Sequence, residues 1–311
     1  MTYASGGLIQ ASDFNNLVGA SAGTQGGGAQ LNPVWSTGSG NYGYGQTAVG
    51  NVSVSGTVAA TNWASLVNTL NSARIHQSGS GSGISAPTAG TTISYLSTLT
   101  SAVSTAATNR LSAATTGTTT SLGKSVTMSA AASASTTGVI TFTVTFASVD
   151  QTRYFFNAGG SLNLSYSAFT NTGGTARGTS IQTMAQTNFG SKRMNAASYG
   201  ARTGSGGTLV TDTTTGGYYG LSTGSSTERF RVNSTSYYTG DTFQVYDLTN
   251  GTTGSYAANG NVITITVVAT SATTGSTQPA DSINILLTML LTATFPETTN
   301  LTNSWGSVTI S

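Results

Sequence analysis

Apolar residues in the first third of the chain recur at helical spacing. Phe14, Leu17 and Val18 stand at i, i+3 and i+4 behind Ser12, a residue type that favours the N-cap. Trp63, Leu66, Val67, Leu70 and Arg74 extend the same stripe from Thr61, the expected cap, to Ile75. A third stripe, with Leu96, Leu99, Val103, Ala106, Arg110 and Leu111, predicts a helix over 92–113. Its Ser and Thr content lowers intrinsic helix propensity, so packing must hold it. The first two helices read as copies. Ile9-Gln10-Ala11-Ser12-Asp13-Phe14-Asn15-Asn16-Leu17-Val18 matches Val58 to Val67 slot by slot at a shift of 49 positions. Phe14 and Trp63 are then equivalent and should both be buried.

After residue 138 the period changes to two. Ile140, Phe142, Val144 and Phe146 share one face of a predicted strand, with threonines on the other. Arg153 to Phe156 and Ser161 to Tyr166 flank Asn157-Ala158-Gly159-Gly160, which reads as a hairpin turn. Further strands are expected over 229–233, 242–247, 261–269 and 282–295, with turns at Asn250-Gly251 and Asn259-Gly260. Residues 179–189 suit a short helix, and 200–224 a long loop. The run 115–138, low in complexity and rich in Thr, Ser and Ala, reads as a linker. The expected fold is mainly β. An antiparallel β-sandwich or jelly roll spans 139–311, and a smaller helical, Gly-rich docking region spans 1–114.

The last strand carries a warning. Ile283, Ile285, Leu287, Met289, Leu291, Ala293 and Phe295 alternate onto one face, but Leu286 and Leu290 lie on the other. An outward sandwich face should be polar. The two leucines therefore need a cover, and a subunit interface is expected there. The helix near 179–189, or burial of both strand faces within one chain, would serve instead.

Composition narrows the function classes. Only 6% of the 311 residues are charged, the formal net charge is +2, and there is no cysteine. Ser and Thr fill roughly a third of the chain, far above ordinary usage. Ten basic residues spread over this length speak against nucleic-acid binding. The absence of cysteine excludes a disulfide framework and a thiolate metal site. No apolar stretch is long enough for membrane insertion, and the start has no basic or apolar signal region, so cytoplasmic synthesis without standard secretion is expected. A surface so poor in charge is best protected inside an ordered assembly.

Candidate chemistry is sparse. The acids are Asp13, Asp150, Asp212, Asp241, Asp247, Asp281, Glu228 and Glu297. Asp241 and Asp247 could meet a Ca²⁺, though such a site needs several more oxygens, and turn or strand-end carboxylates are the simpler reading. His76, the single histidine, ends a helix, where it would interact with the last carbonyls. No nucleophile, base and orienter can be named around it. Gly79, Gly81 and Gly83 lack the residues of a phosphate loop. Arg229 and Arg231 share a strand face and would hold a carboxylate or glycan, or pair locally. Tyr218, Tyr219, Tyr237 and Tyr238 lie near Gly-rich turns and suit ligand-binding loops, with ordinary sandwich packing as the alternative. No catalytic residue, metal site or cofactor is expected.

Several stretches resemble virion structural proteins of tailed phages, particularly those of marine cyanobacteria. They are Ile9 to Val18, Leu31 to Gly38, Gly43 to Gln46, Trp63 to Gly79, Arg153 to Gly160 and Phe295 to Gly306. The resemblance implies a non-enzymatic virion component, an appendage or fibre-like protein or a head decoration, assembled in the host cytoplasm. It implies partners among other virion proteins and copies of the chain itself, commonly as homotrimers. The alternative is a sandwich adhesin that grips a host surface glycan.

Overall fold

The computed structural model describes residues 10–19, 30–36, 43–53, 55–93, 95–235, 238–251, 260–272 and 281–311. Two units divide the chain. The first takes the described residues of Met1–Thr118 together with Val149–Gly160 and Phe295–Gly306; the second takes those of Thr119–Ser148, Ser161–Thr294 and Ser307–Ser311.

The first unit is helical. Helix α1 (Ala11–Val18) buries Phe14, Leu17 and Val18, and α2 (Asn32–Trp35) is a single turn. The long α3 (Ala60–Ser78) and α4 (Leu96–Thr108) complete a core built from Phe14, Trp63, Leu66, Leu70, Leu99 and Val103. Helices α1 and α3 begin one position before the expected caps. Gln10 and Ala59 hold the cap positions, and each backbone N–H donates to the third helical residue: Gln10 to Asp13 Oδ2 and Ala59 to Asn62 Oδ1, both at 2.9 Å. Gly79, in the left-handed region at φ 78°, ends α3 and returns its N–H to Ile75. The extended chain over 43–53 lacks a partner strand. Side-chain amides take that role: Asn32 pairs with both backbone groups of Val49, and Asn15 with both of Val52.

Residues 153–156 form no strand. They lie in helix α5 (Val149–Asn157), which buries Tyr154, Phe155 and Phe156. Three consecutive aromatics fit neither period, and the expected hairpin turn is instead a helix stop. Gly159, at φ 87°, donates to Phe156, and Gly160 donates to Phe155, the paired reverse bonds of a Schellman end.

The second unit is an antiparallel β-sandwich, as expected. One sheet runs β1-β9-β3-β4, from β1 (Thr116–Ala130), β9 (Ile283–Pro296), β3 (Ser161–Asn171) and β4 (Ser191–Met194). The other runs β10-β2-β8-β7-β6-β5, from β10 (Val308–Ile310), β2 (Thr136–Phe146), β8 (Val262–Ser271), β7 (Thr242–Thr249), β6 (Thr227–Asn233) and β5 (Thr208–Asp212). Ile140, Phe142, Val144 and Phe146 face the core, as their alternation requires. Helix α6 (Ala176–Gln182) continues into a π-helix over Thr183–Phe189, which seats Phe189 against Phe230 and Phe243.

The expected linker is a correction. Most of 115–138 is strand β1, whose hydroxyls bond across to β9: Ser121 to Thr292 at 2.8 Å and Ser125 to Thr288 at 2.7 Å. Threonine is β-branched and suits a strand, but its polarity hides the alternation carried by Leu122, Val126 and Met128. The loop expected over 200–224 likewise holds β5 and a short 3₁₀ turn, Tyr218–Gly220.

Candidate functional site

Strand β9 alternates from Ile283 to Ala293, and its outward row contains the two leucines singled out by the sequence. Leu286 is 41% exposed, and Leu290 is half-buried, opposite Gly123 of β1 and Ser165 of β3. Around them lie Ser121, Ser125 and Thr127 of β1 and Thr288 and Thr292 of β9. Across the outward positions of these four strands Arg193 of β4 is the single formal charge. This is a broad hydroxyl-rich sheet face with an apolar centre.

The tyrosines separate. Tyr218 is fully buried and donates its hydroxyl to Gly260 O at 3.0 Å, so it is a packing residue rather than a recognition side chain. Tyr219 is half-buried against it, with ring centroids 5.1 Å apart. Tyr237 lies outside the described residues. Tyr238 is buried at 2% exposure, yet its ring borders an open groove of about 360 Å³ that Ser180, Thr183, Asn188 and Ser234 also line. Its hydroxyl donates to Asp281 Oδ2 at 3.2 Å.

Several of the scarce charges lie in the interior. His76 is buried at the end of α3, and its Nδ1 meets Glu297 Oε1 at 3.0 Å. It does not bond the last helix carbonyls. Burial pushes the imidazole below its ordinary value, so the neutral ring donates from Nδ1 to an ionised Glu297. Burial alone would raise Glu297; hydrogen bonds from His76, Asn300 and Thr299 outweigh it and hold the carboxyl low.

Within the sandwich Asp247 accepts from the Tyr199 hydroxyl and from Arg229 Nε, the latter at 2.8 Å. Burial holds its carboxyl above the ordinary range despite both partners. Arg229 therefore pairs locally, and Asp247 has no part in a shared cation site with Asp241, which accepts from Ala272 N at 2.9 Å. Lys192 joins Asp212, and Arg202 Nε lies 3.8 Å from the other oxygen of that carboxylate. Among the described residues no three His, Asp or Glu side chains gather as a metal site, and no helix is long and apolar enough to cross a membrane.

The chain matches no known protein family, no curated protein and no solved structure.

Sequence reasoning placed the leucine face but did not find the partners in the three interior ion pairs, His76–Glu297, Lys192–Asp212 and Arg229–Asp247. His76 and Glu297 are separated by most of the chain, and no local pattern connects them. The usable signal was scarcity: in a chain with so few charges, an ionisable residue flanked by apolar ones is a candidate for interior pairing.

Proposed function

We propose that this chain is a non-enzymatic structural component of a virion, an appendage or fibre-like protein or a head decoration, which assembles with copies of itself and with other virion proteins. The observation that carries the reading is the outward face of β9. Exposed Leu286 and half-buried Leu290 stand in the outward row of a sheet surface with almost no charge, a composition that suits contact with another subunit. The interior use of charge supports it, since His76, Glu297, Lys192, Arg229 and Asp247 are all engaged in holding elements together. Two measurements test the reading. Sedimentation of the purified chain should give a defined oligomer, and mass spectrometry of purified particles should detect the chain. A monomer at high concentration that is also missing from particles would overturn it.

One observation favours a second reading, a glycan-binding adhesin. The groove beside Tyr238 is open, large enough for a sugar ring, and lined by hydroxyl and amide groups. Glycan-array binding by the full chain, lost on Asn188→Ala and Thr183→Ala substitution, would establish it; an array with no binding would remove it.

A further inference from the structure

Lys192 is one of only two lysines in the chain, and it is buried. It lies on β4, the edge strand of one sheet, while Asp212 ends β5, the edge strand of the other. The ammonium touches Asp212 Oδ1 directly, with 4% and 18% of the two side chains exposed. Gly200 O accepts a second N–H from the same nitrogen at 3.3 Å. The remaining carboxylate oxygen, Oδ2, faces Arg202 Nε at 3.8 Å. Lys192 also borders a small cavity of about 20 Å³ that it shares with Tyr199 and Asp247. That volume is about what one water molecule needs.

Two charges withdrawn from water give little net stability, because desolvation offsets their attraction. The same two groups joined as an amide carry no charge, so the desolvation cost disappears. We propose that Lys192 and Asp212 condense in the folded protein to an intramolecular isopeptide bond, which staples the two sheets together at their edges.

The step balances without an oxidant or cofactor. One proton passes from the ammonium to Oδ1, leaving a neutral amine beside a carboxylic acid. The Nζ lone pair attacks Cγ, the new N–C bond forms, and the carbonyl electrons move onto Oδ2, where the Arg202 guanidinium stabilises the oxyanion. A second proton moves from Nζ to Oδ1, the Cγ–Oδ1 bond breaks, and water leaves while Oδ2 becomes the amide oxygen. Of the three ammonium protons, two depart in the water and one stays on nitrogen. Contact within a rigid fold supplies the proximity such a reaction requires. Asp247, whose carboxyl burial holds above its ordinary range, borders the same cavity as Lys192. The chain has no cysteine, so this bond would be a cross-link made without disulfide chemistry.

Intact-mass measurement of the denatured full chain tests the proposal. The wild-type protein should be lighter than its sequence mass by one water, and trypsin should fail to cut after Lys192, leaving a branched peptide that contains Asp212. Lys192→Arg keeps the charge but cannot condense, and should show the full sequence mass. Asp212→Asn should lose one ammonia instead and arrive at the same mass as the condensed wild type, a result no ion pair can give. Folded wild-type protein that keeps its full sequence mass after prolonged incubation, with normal cleavage after Lys192, would overturn the proposal without reference to any variant.

Discussion

The ring of Phe14 stands edge-on to the ring of Trp63, with centroids 5.2 Å apart and planes at 81°. These residues occupy the same slot in two segments 49 positions apart, and both are buried, at 0% and 2% exposure. The two segments also start alike, with Asp13 and Asn62 reaching back to the cap N–H. The repeat thus brings its own aromatics together, one copy against the other. Phe14→Ala and Trp63→Ala should each cost about 3–5 kcal/mol, the usual range for deleting a buried aromatic. The double variant should cost less than the sum by about 0.5–1.5 kcal/mol, the coupling expected of an edge-to-face pair. Chemical denaturation followed by far-UV circular dichroism measures both. Strict additivity would mean that the contact carries no energy of its own.

The extent to which the chain could be read in advance follows from the same physics. Helices α1 and α3 were legible because apolar residues at helical spacing followed a local start signal. Strands β2 and β9 were legible because an unbroken apolar row recurs at every second residue, Ile140 to Phe146 in one and Ile283 to Ala293 in the other, whatever stands between. Strand β1 was not, since threonine and serine on both faces make a strand resemble a linker. Helix α5 was hidden by Tyr154-Phe155-Phe156, which has no period, and by a glycine pair that suits a hairpin as well as a helix end. Leu286 was legible as an out-of-place apolar residue. The pairing of Lys192 with Asp212 was not, because it depends on which strands end up at the sheet edges.

The His76–Glu297 pair makes stability depend on pH in a stated direction. Burial first of all lowers the folded-state pKa of His76 below its unfolded value of about 6.5. Protonation therefore favours the unfolded chain, and the contribution present above that value is lost as the pH falls through it toward the folded pKa. Glu297 is also held below its ordinary value, so its contribution is lost by the same sign at lower pH. Asp241 and Asp247, raised by burial, act oppositely near the carboxylate range. His76→Gln keeps a side-chain donor but cannot titrate. Its melting temperature should therefore change less than that of the wild type between neutral pH and about pH 5. Equal slopes for the two proteins over that interval would remove His76 as the cause.

The leucine face predicts a variant that folds without assembling. Leu286 is exposed, so Leu286→Asp should change folding stability by no more than about 0.5 kcal/mol. Leu290 is half-buried, and Leu290→Asp should cost more. The double variant should keep a cooperative thermal transition and sediment as a smaller species than the wild type. The wild-type assembly should also persist in 1 M salt, where the Debye length falls to about 3 Å, because an apolar and hydroxyl face offers little for salt to screen. A wild-type oligomer that dissociates in salt would place the contact on charged residues elsewhere.

Arg177 gives the most demanding stability prediction. Its side chain is buried at 1% exposure and has no direct carboxylate partner among its hydrogen bonds. Nε donates to Ser271 Oγ at 2.7 Å, Nη1 to Ala131 O at 3.1 Å, and Nη2 to Ala134 O at 2.7 Å and Ser271 O at 3.2 Å. One guanidinium therefore ties the turn between β1 and β2 to the end of β8. Arg177→Met would leave these buried acceptors without donors, at about 1–3 kcal/mol for each one water cannot reach. Arg177→Lys should do little better, since a point ammonium cannot span acceptors that a planar fork reaches in three directions. The Arg177 charge also acts on Asp241, whose carboxyl burial already raises. Removing the arginine leaves that buried carboxylate with less compensation, so Asp241→Asn should recover part of the loss in an Arg177→Met background. Thermal unfolding of the four proteins in this cycle decides the matter. If Asp241→Asn costs the same with and without Arg177, the arginine acts through its carbonyl bonds alone, and the electrostatic part of the argument fails.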